Sequence, residues 1–347
     1  MIDLSSRTAA FLLTQTAPTD PGTAWLKDHA IAIDAPPDED TDPGPDARWP
    51  QQARRSGLCG AVSPRVVTSG GGYRMYYTQI LPRPGFPAGA NDYENATTRI
   101  LSATSPDGSE WTPEPGVRLP PQLEQGELRV VSSEVVPVHG HPDRLRMYYE
   151  SANGLQSEPS AIHSALSEDG GLTWNREAGA RLASGICNYG APRILFLTDG
   201  RIRLYCYERG LGIVSAVSND GLTFRQESGI RIEQGGVHDA ITAFAPEIVR
   251  LDDGSLVLYY AGYSAPNRAY VLRATSADEG LTWQKDAHPI LSPGGVWDGA
   301  KCSEMCVFRL PDDGSGVPRY RMLYEACDGT AENERGVWRI ASATSER

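Results

Sequence analysis

Lysine is almost missing from this chain of 347 residues. Only Lys27, Lys285 and Lys301 occur among 32 basic residues, against 44 acidic ones. The net charge of −12 argues against a general basic surface for nucleic acid. No apolar run approaches the roughly 18 residues of a membrane helix, so no membrane partner is expected. The stretch Ala9-Ala10-Phe11-Leu12-Leu13 is too short for the core of a signal peptide, and only Arg7 precedes it. The six cysteines, at 59, 187, 206, 302, 306 and 327, show no paired spacing of a metal site. They are also too few for a disulfide scaffold in so long a chain, so reduced thiols and a cytoplasmic location are expected, without metal or cofactor. What is abundant is punctuation: 36 glycines and 26 prolines argue against a helical bundle and for many short strands joined by turns.

Those strands repeat. Ser167-Glu-Asp169-Gly-Gly171-Leu-Thr173-Trp174 returns as Ser276-Ala-Asp278-Glu-Gly280-Leu-Thr282-Trp283. Shorter copies are Ser105-Pro-Asp107-Gly108-Ser-Glu-Trp111 and Ser218-Asn-Asp220-Gly221-Leu-Thr223-Phe224. Each suits a hairpin turn in which the aspartate accepts turn amides, glycine takes a positive φ and the aromatic ring staples the turn to a sheet. Before each copy runs a strand-like segment: Tyr73–Tyr77, Leu145–Tyr149, Ile202–Cys206, Leu256–Tyr260, and a fifth at Tyr320–Tyr324. Further upstream lie Ser63-Pro-Arg65, Ser133-Glu134, Ala191-Pro-Arg193, Ala245-Pro-Glu247 and Ser303-Glu304. Five units of four short strands, A to D, predict an all-β fold: a single five-bladed β-propeller of four-stranded antiparallel blades over 1–347. The fifth unit breaks off after Ser345, while Trp25-Leu-Lys27-Asp28 resembles Trp283-Gln-Lys285-Asp286. Residues 1–33 are therefore expected to close the last blade, with 34–56 as a linker loop rich in proline and aspartate.

The Ser-x-Asp-x-Gly-x-Thr-Trp pattern is the Asp box of sialidases. The whole ring resembles the five-bladed glycoside hydrolases of the family 43, 32 and 130 type. In family 43 three catalytic carboxylates stand at or near the start of strand A. That resemblance places them at Ser63, Ala191 and near Ala245, none of which is an acid. It implies the scaffold without the usual hydrolytic set, since glycosidases need two carboxylates on opposite sides of one bond.

The sequence offers another ring instead. Aligning strand A puts Arg65, Glu134, Arg193, Glu247 and Glu304 at equivalent positions. As a scaffold they would be an axial network of ion pairs. As a site, Glu134, Glu247 and Glu304 would supply acid–base chemistry, and Arg65 and Arg193 would bind an anionic group. Loops on the same face carry His238 and Asp239 as a candidate base pair. Tyr189, Trp297 and Arg209 are further candidate contacts to substrate, though Trp297 suits packing equally. Glu150, Glu208, Tyr263, Glu325 and Asp328 follow strand B on that face, and the loop Gln79–Thr97 could cover it. Cys59 and Cys187 hold matching positions that suggest packing. Two classes of function follow: an enzyme acting on a small polar or sugar-like molecule, or a carbohydrate-binding propeller without catalysis. Within the first class, the missing family acids favour reuse for a cyclase or lyase step over hydrolysis.

Overall fold

The computed structural model describes residues 16–34, 60–82, 96–138, 141–154, 158–330 and 336–346. Their regular elements are strands, apart from one short 3-10 turn at Leu123–Gln125. Among the described residues no helix is long and apolar enough to cross a membrane. Residues 1–15, most of the expected linker, Cys59 and positions 83–95 of the long loop lie outside them.

Among the described residues, antiparallel pairing links most strands into five sets of four; Ile232–Glu233 adds a fifth strand to the third set, and Thr16–Ala17 pairs parallel with Thr242–Leu251. The first comprises Gly60–Ser69, Gly72–Pro82, Ala96–Ser105 and Thr112–Pro113. The second comprises Arg129–Val138, His141–Ala152, Ser160–Ser167 and Asn175–Arg176. The third comprises Tyr189–Phe196, Ile202–Glu208, Gly212–Ser218 and Arg225–Gln226. The fourth comprises Thr242–Leu251, Leu256–Ala265, Arg268–Ser276 and Gln284–Lys285. The fifth comprises Lys301–Arg309, Tyr320–Cys327 and Trp338–Ser345, and its outer strand is the N-terminal Trp25–Ile33. The first two strands of each set carry the buried aromatic and β-branched residues, so the cores lie between neighbouring sets.

Neighbouring sets are tied by one recurring contact. Tyr76 Oη donates to Gly171 O at 3.0 Å, Tyr148 to Gly221 O at 2.8 Å, Tyr205 to Gly280 O at 3.1 Å and Tyr259 to Gly22 O at 3.1 Å. The ring of Trp174 stands edge-on to Tyr76, as Trp283 does to Tyr205 and Trp25 to Tyr259. Gly171 has φ +89°, and a Cβ there would lie 1.9 Å from Tyr76 Oη, so only glycine fits. The likeness of Trp25 to Trp283 seen in the sequence is thus a likeness of contacts. Lys27 extends it by pairing with Asp298 at 2.5 Å, as Lys285 pairs with Asp239 at 2.6 Å.

Candidate active site

Each first strand carries a β-bulge, and the bulge sets the levels of the site. The ladder skips between Val62 and Arg65, Val131 and Glu134, Gly190 and Arg193, and Phe244 and Glu247. At the skipped positions Ser63, Ser132, Ala191 and Ala245 take φ of 55°, 52°, 48° and 52°. A left-handed backbone without glycine costs about 1 kcal/mol or more at each, and such strain gathers at functional sites. Below the bulges Arg65, Glu134, Arg193 and Glu247 pair with Tyr76, Tyr148, Tyr205 and Tyr259. In the fifth set the residue at this level is Cys306, opposite Leu323, while Glu304 is the bulged residue itself. This corrects the five-membered ring read from the sequence. The same Ser-Glu pair occurs at Ser133-Glu134 and Ser303-Glu304, but two positions out of register.

The corrected ring is a closed charge network. Arg65 Nε lies 2.6 Å from Glu134 Oε2 and its Nη1 3.1 Å from Glu247 Oε2. Arg193 Nε lies 2.8 Å from Glu247 Oε2 and its Nη1 3.6 Å from Glu134 Oε2. All four side chains are at most 3% exposed, and none lines the cavity above. Cys306 completes the ring as a neutral thiol, because burial and the Glu247 charge push its pKa up to about 12. Two positive and two negative charges therefore cancel within the ring.

Above it opens a cavity of about 680 Å³. Its floor is the bulge level, with Ser63, Ser132, Ala191 and Glu304. Glu304 Oε2 accepts from Ser63 Oγ at 2.9 Å and from Ser132 Oγ at 3.0 Å. Glu304 Oε1 is buried without a hydrogen bond. Glu325 meets the same hydroxyl: its Oε1 accepts Ser63 N at 2.9 Å and Ser63 Oγ at 3.3 Å, and its Oε2 accepts Ser303 Oγ at 2.7 Å. Glu150 lines the cavity from the second set, so close to Gly190 that a Cβ there would lie 2.3 Å from Glu150 Oε2. Burial and the Glu304 charge push Glu325 up to about 8. Burial raises Glu150 to about 7 against the pull of Arg129. Burial also raises Glu304, against Arg193 and the two serine donors. Three carboxyl groups with raised pKa values thus face one cavity, and those of Glu150 and Glu325 lie near neutral pH. Arg129, Arg209, Lys301, Tyr207, Tyr263 and Trp338 complete its walls with the apolar Phe244, Val62 and Ile80.

Of the ten residues singled out from the sequence, Glu304 and Arg209 line this cavity. Arg65, Glu134, Arg193 and Glu247 lie beneath it. Tyr189 is 2% exposed in the core and donates to Gln226 Oε1 at 3.3 Å. His238 packs edge-on against Tyr270, with ring centroids 4.8 Å apart. Asp239 accepts from Lys285 Nζ at 2.6 Å and Tyr260 Oη at 3.2 Å. Trp297 donates to His29 O at 3.0 Å beneath the Arg339 guanidinium. Asp298 accepts from Tyr324 Oη at 2.9 Å as Asp239 does from Tyr260, so Gly-Gly-Val-x-Asp is a repeated latch between strands. Glu150 and Glu325, noted in the sequence but not singled out, belong to the site. Both stand two residues after the ring-pairing position of the second strand, at Tyr148 and Leu323. Ser63, Ser132, Arg129 and Lys301 were not singled out as functional either. Among the described residues no group of three His, Cys, Asp or Glu is arranged to hold a metal.

The family of this fold and site is the BNR repeat-like domain, whose model matches residues 86–314; the chain belongs to it. No curated protein sequence matches the chain. Among solved structures it is similar to a thermostable family-43 glycoside hydrolase, at 18% identity and TM-score 0.60, covering 83% of this chain and 89% of that one. It is similar to a structure of family 130, whose mannoside phosphorylases include glycoside hydrolases that target β-1,2-mannosidic linkages in Candida mannan. There the identity is 13% and the TM-score 0.66, with 94% and 96% covered. The α-L-arabinofuranosidase of Podospora anserina, solved with cellotriose, gives 14%, 0.59, 94% and 98%. The fold is thus the propeller fold of glycoside hydrolases.

Proposed function

We propose that the chain is an enzyme that cleaves glycosides in the 680 Å³ cavity, with a catalytic set moved from the positions family 43 uses. The observation that carries this is the meeting of Glu304, Glu325 and Glu150 in that one cavity. Glu304 and Glu325 touch one serine hydroxyl, so they titrate as a pair that keeps a proton near neutral pH. The pair is the acid that protonates the leaving oxygen, with two serine donors holding Glu304 Oε2. Glu150 is the second carboxylate, which the other side of the bond requires. Tyr207, Tyr263, Phe244 and Trp338 supply faces for the sugar ring. The cyclase or lyase step expected from the missing family acids has no feature of the cavity in its favour, and binding without catalysis leaves the three raised carboxyls without a task.

The five antiparallel sets are, in the same proposal, five blades closed into a ring. The tyrosine contacts run from the first set to the second, third, fourth and fifth. Arg321 Nη1 of the fifth set reaches Gly108 O of the first at 2.9 Å, which supports closure. The Ser-x-Asp-x-Gly turns are then Asp boxes, with the fifth divided between Ser345 and Asp20-Pro-Gly22-Thr-Ala-Trp25.

A panel of aryl pentosides and hexosides tests the chemistry. Turnover of at least one is expected, falling about 100-fold or more in Glu304→Gln. A panel with no turnover, or turnover unchanged in Glu304→Gln, contradicts it.

A further inference from the structure

The cations of the cavity share a level, and it is not the level of the acids. Glu150 pairs with Val131 and Glu325 with Ser303. Arg129 pairs with Ala152 and Lys301 with Cys327, two rungs further from the floor in each set. In the third set Tyr207, opposite Gly190, is at the acid level. Arg209 follows two residues later, and its N–H donates to Asn188 O at 3.0 Å. Two rungs are about 7 Å along a strand, a separation on the scale of one sugar residue. The floor beneath the acids is sealed by the Arg65 network, so a substrate can extend only outward, past the cations. Two of these are fixed in place. Lys301 Nζ stands 5.1 Å from the centre of the Trp338 ring and 5.8 Å from that of Tyr263. Arg129 is 1% exposed and donates to Gly154 O. Arg209 is exposed at the mouth. In a chain of net charge −12, three cations gathered at one level of one cavity are a local reversal of sign. Burial raises the pKa of all three carboxyls below them, which weakens the negative charge the cations face.

We propose that the substrate is an anionic glycoside whose negative charge, a carboxylate or a phosphate ester, sits on the leaving part, one residue outward from the bond that breaks. Arg209 and Lys301 bind it, with Arg129 adding to the field. This rests on the glycoside-cleaving function proposed above. The sugar on the acids is closed in by Ser63, Ser132 and Glu304; the next residue outward meets the guanidinium and ammonium groups, which pair with an anion as a planar fork or a point charge.

Calorimetry on the full chain tests the anion site, with D-glucuronate, D-glucose 6-phosphate and neutral D-glucose as probes. At least one anion should bind about tenfold or more tightly than glucose, a difference of about 1.4 kcal/mol. That preference should fall in Arg209→Gln, in Lys301→Met and at high salt. Preference for glucuronate assigns a carboxylate, and preference for the 6-phosphate assigns a phosphate. Equal binding of all three, no binding of any, or a preference that survives in the double variant overturns the proposal. Its placement is tested by kcat/KM on carboxyphenyl against nitrophenyl glycosides. The charged leaving group should be favoured, and the advantage lost in Arg209→Gln, whose exposed side chain leaves the fold undisturbed. Equal turnover of both overturns the inference and leaves the glycoside function standing. Anion binding without turnover of any glycoside removes the glycoside function and the assignment to the leaving part together.

Discussion

Two layers of buried charge lie on adjacent levels, and they have opposite characters. In the lower one Arg65, Glu134, Arg193 and Glu247 are matched one to one, with every charge within 3.6 Å of a partner of opposite sign. In the upper one Glu304 and Glu325 share a serine instead of a cation. Burial raises the pKa of Glu134 in the lower layer as it does those of Glu304 and Glu325 in the upper. Pairing and access separate the layers: the matched ring is sealed and stiffens the inner strands, whereas the upper carboxyls lack a close cation and face the cavity, where a proton can be given to a substrate. The comparison also assigns the strain, because the left-handed serines that deliver hydroxyls to Glu304 are the hinge between the layers.

The largest effect expected is in the lower layer. Arg65→Met leaves Glu134 and Glu247 short of a cation in a fully buried place, at a cost of about 3–5 kcal/mol. A sharp fall in melting temperature or loss of soluble protein should follow, and an unchanged melting curve would show the ring to be dispensable. The upper layer should speak through pH. A carboxyl with a raised folded pKa gives the native state an extra proton between its unfolded and folded values. Their contribution to stability is then greatest below about 4.5 and is lost as pH rises through about 7 for Glu150 and about 8 for Glu325. Melting temperature should fall across that window, and Glu325→Gln should flatten the slope above pH 7; a slope unaltered in the variant would remove Glu325 as its source. The smallest effect expected is that of Ser132→Ala. It removes one of two donors to Glu304 Oε2 and should raise the basic limb of the pH–rate profile by roughly one pH unit at most, with Ser132→Thr restoring it. A limb that does not move would mean that Ser63 alone orients the carboxylate.

Much of the architecture was legible in the sequence. The turns repeat around Asp107, Asp169, Asp220 and Asp278, and Trp25-Leu-Lys27 carries the same contacts as Trp283-Gln-Lys285. The levels of the site were less legible. A bulge adds a residue without changing composition, and backbone φ at Ser63 or Ser132 leaves no mark in the residue type. The coincidence of Ser133-Glu134 with Ser303-Glu304 then drew Glu304 into a ring to which Cys306 belongs. Charged loop residues misled for a related reason. Asp239 and Asp298 look like free acids in sequence, but each is held by a lysine and a tyrosine that lie far along the chain. Glu150 and Glu325 could have been found by the offset they share from the strand-B repeat.

Glu134→Gln and Glu304→Gln, made side by side and read for melting temperature and glycoside turnover, test the division between the layers most directly. Both replace a buried carboxylate by its isostere. The account predicts that Glu134→Gln melts well below the parent while its folded fraction keeps its rate, and that Glu304→Gln melts at or above the parent temperature and loses about 100-fold or more in rate. Loss of stability in Glu304→Gln with activity retained, or the reverse pattern in Glu134→Gln, would contradict it.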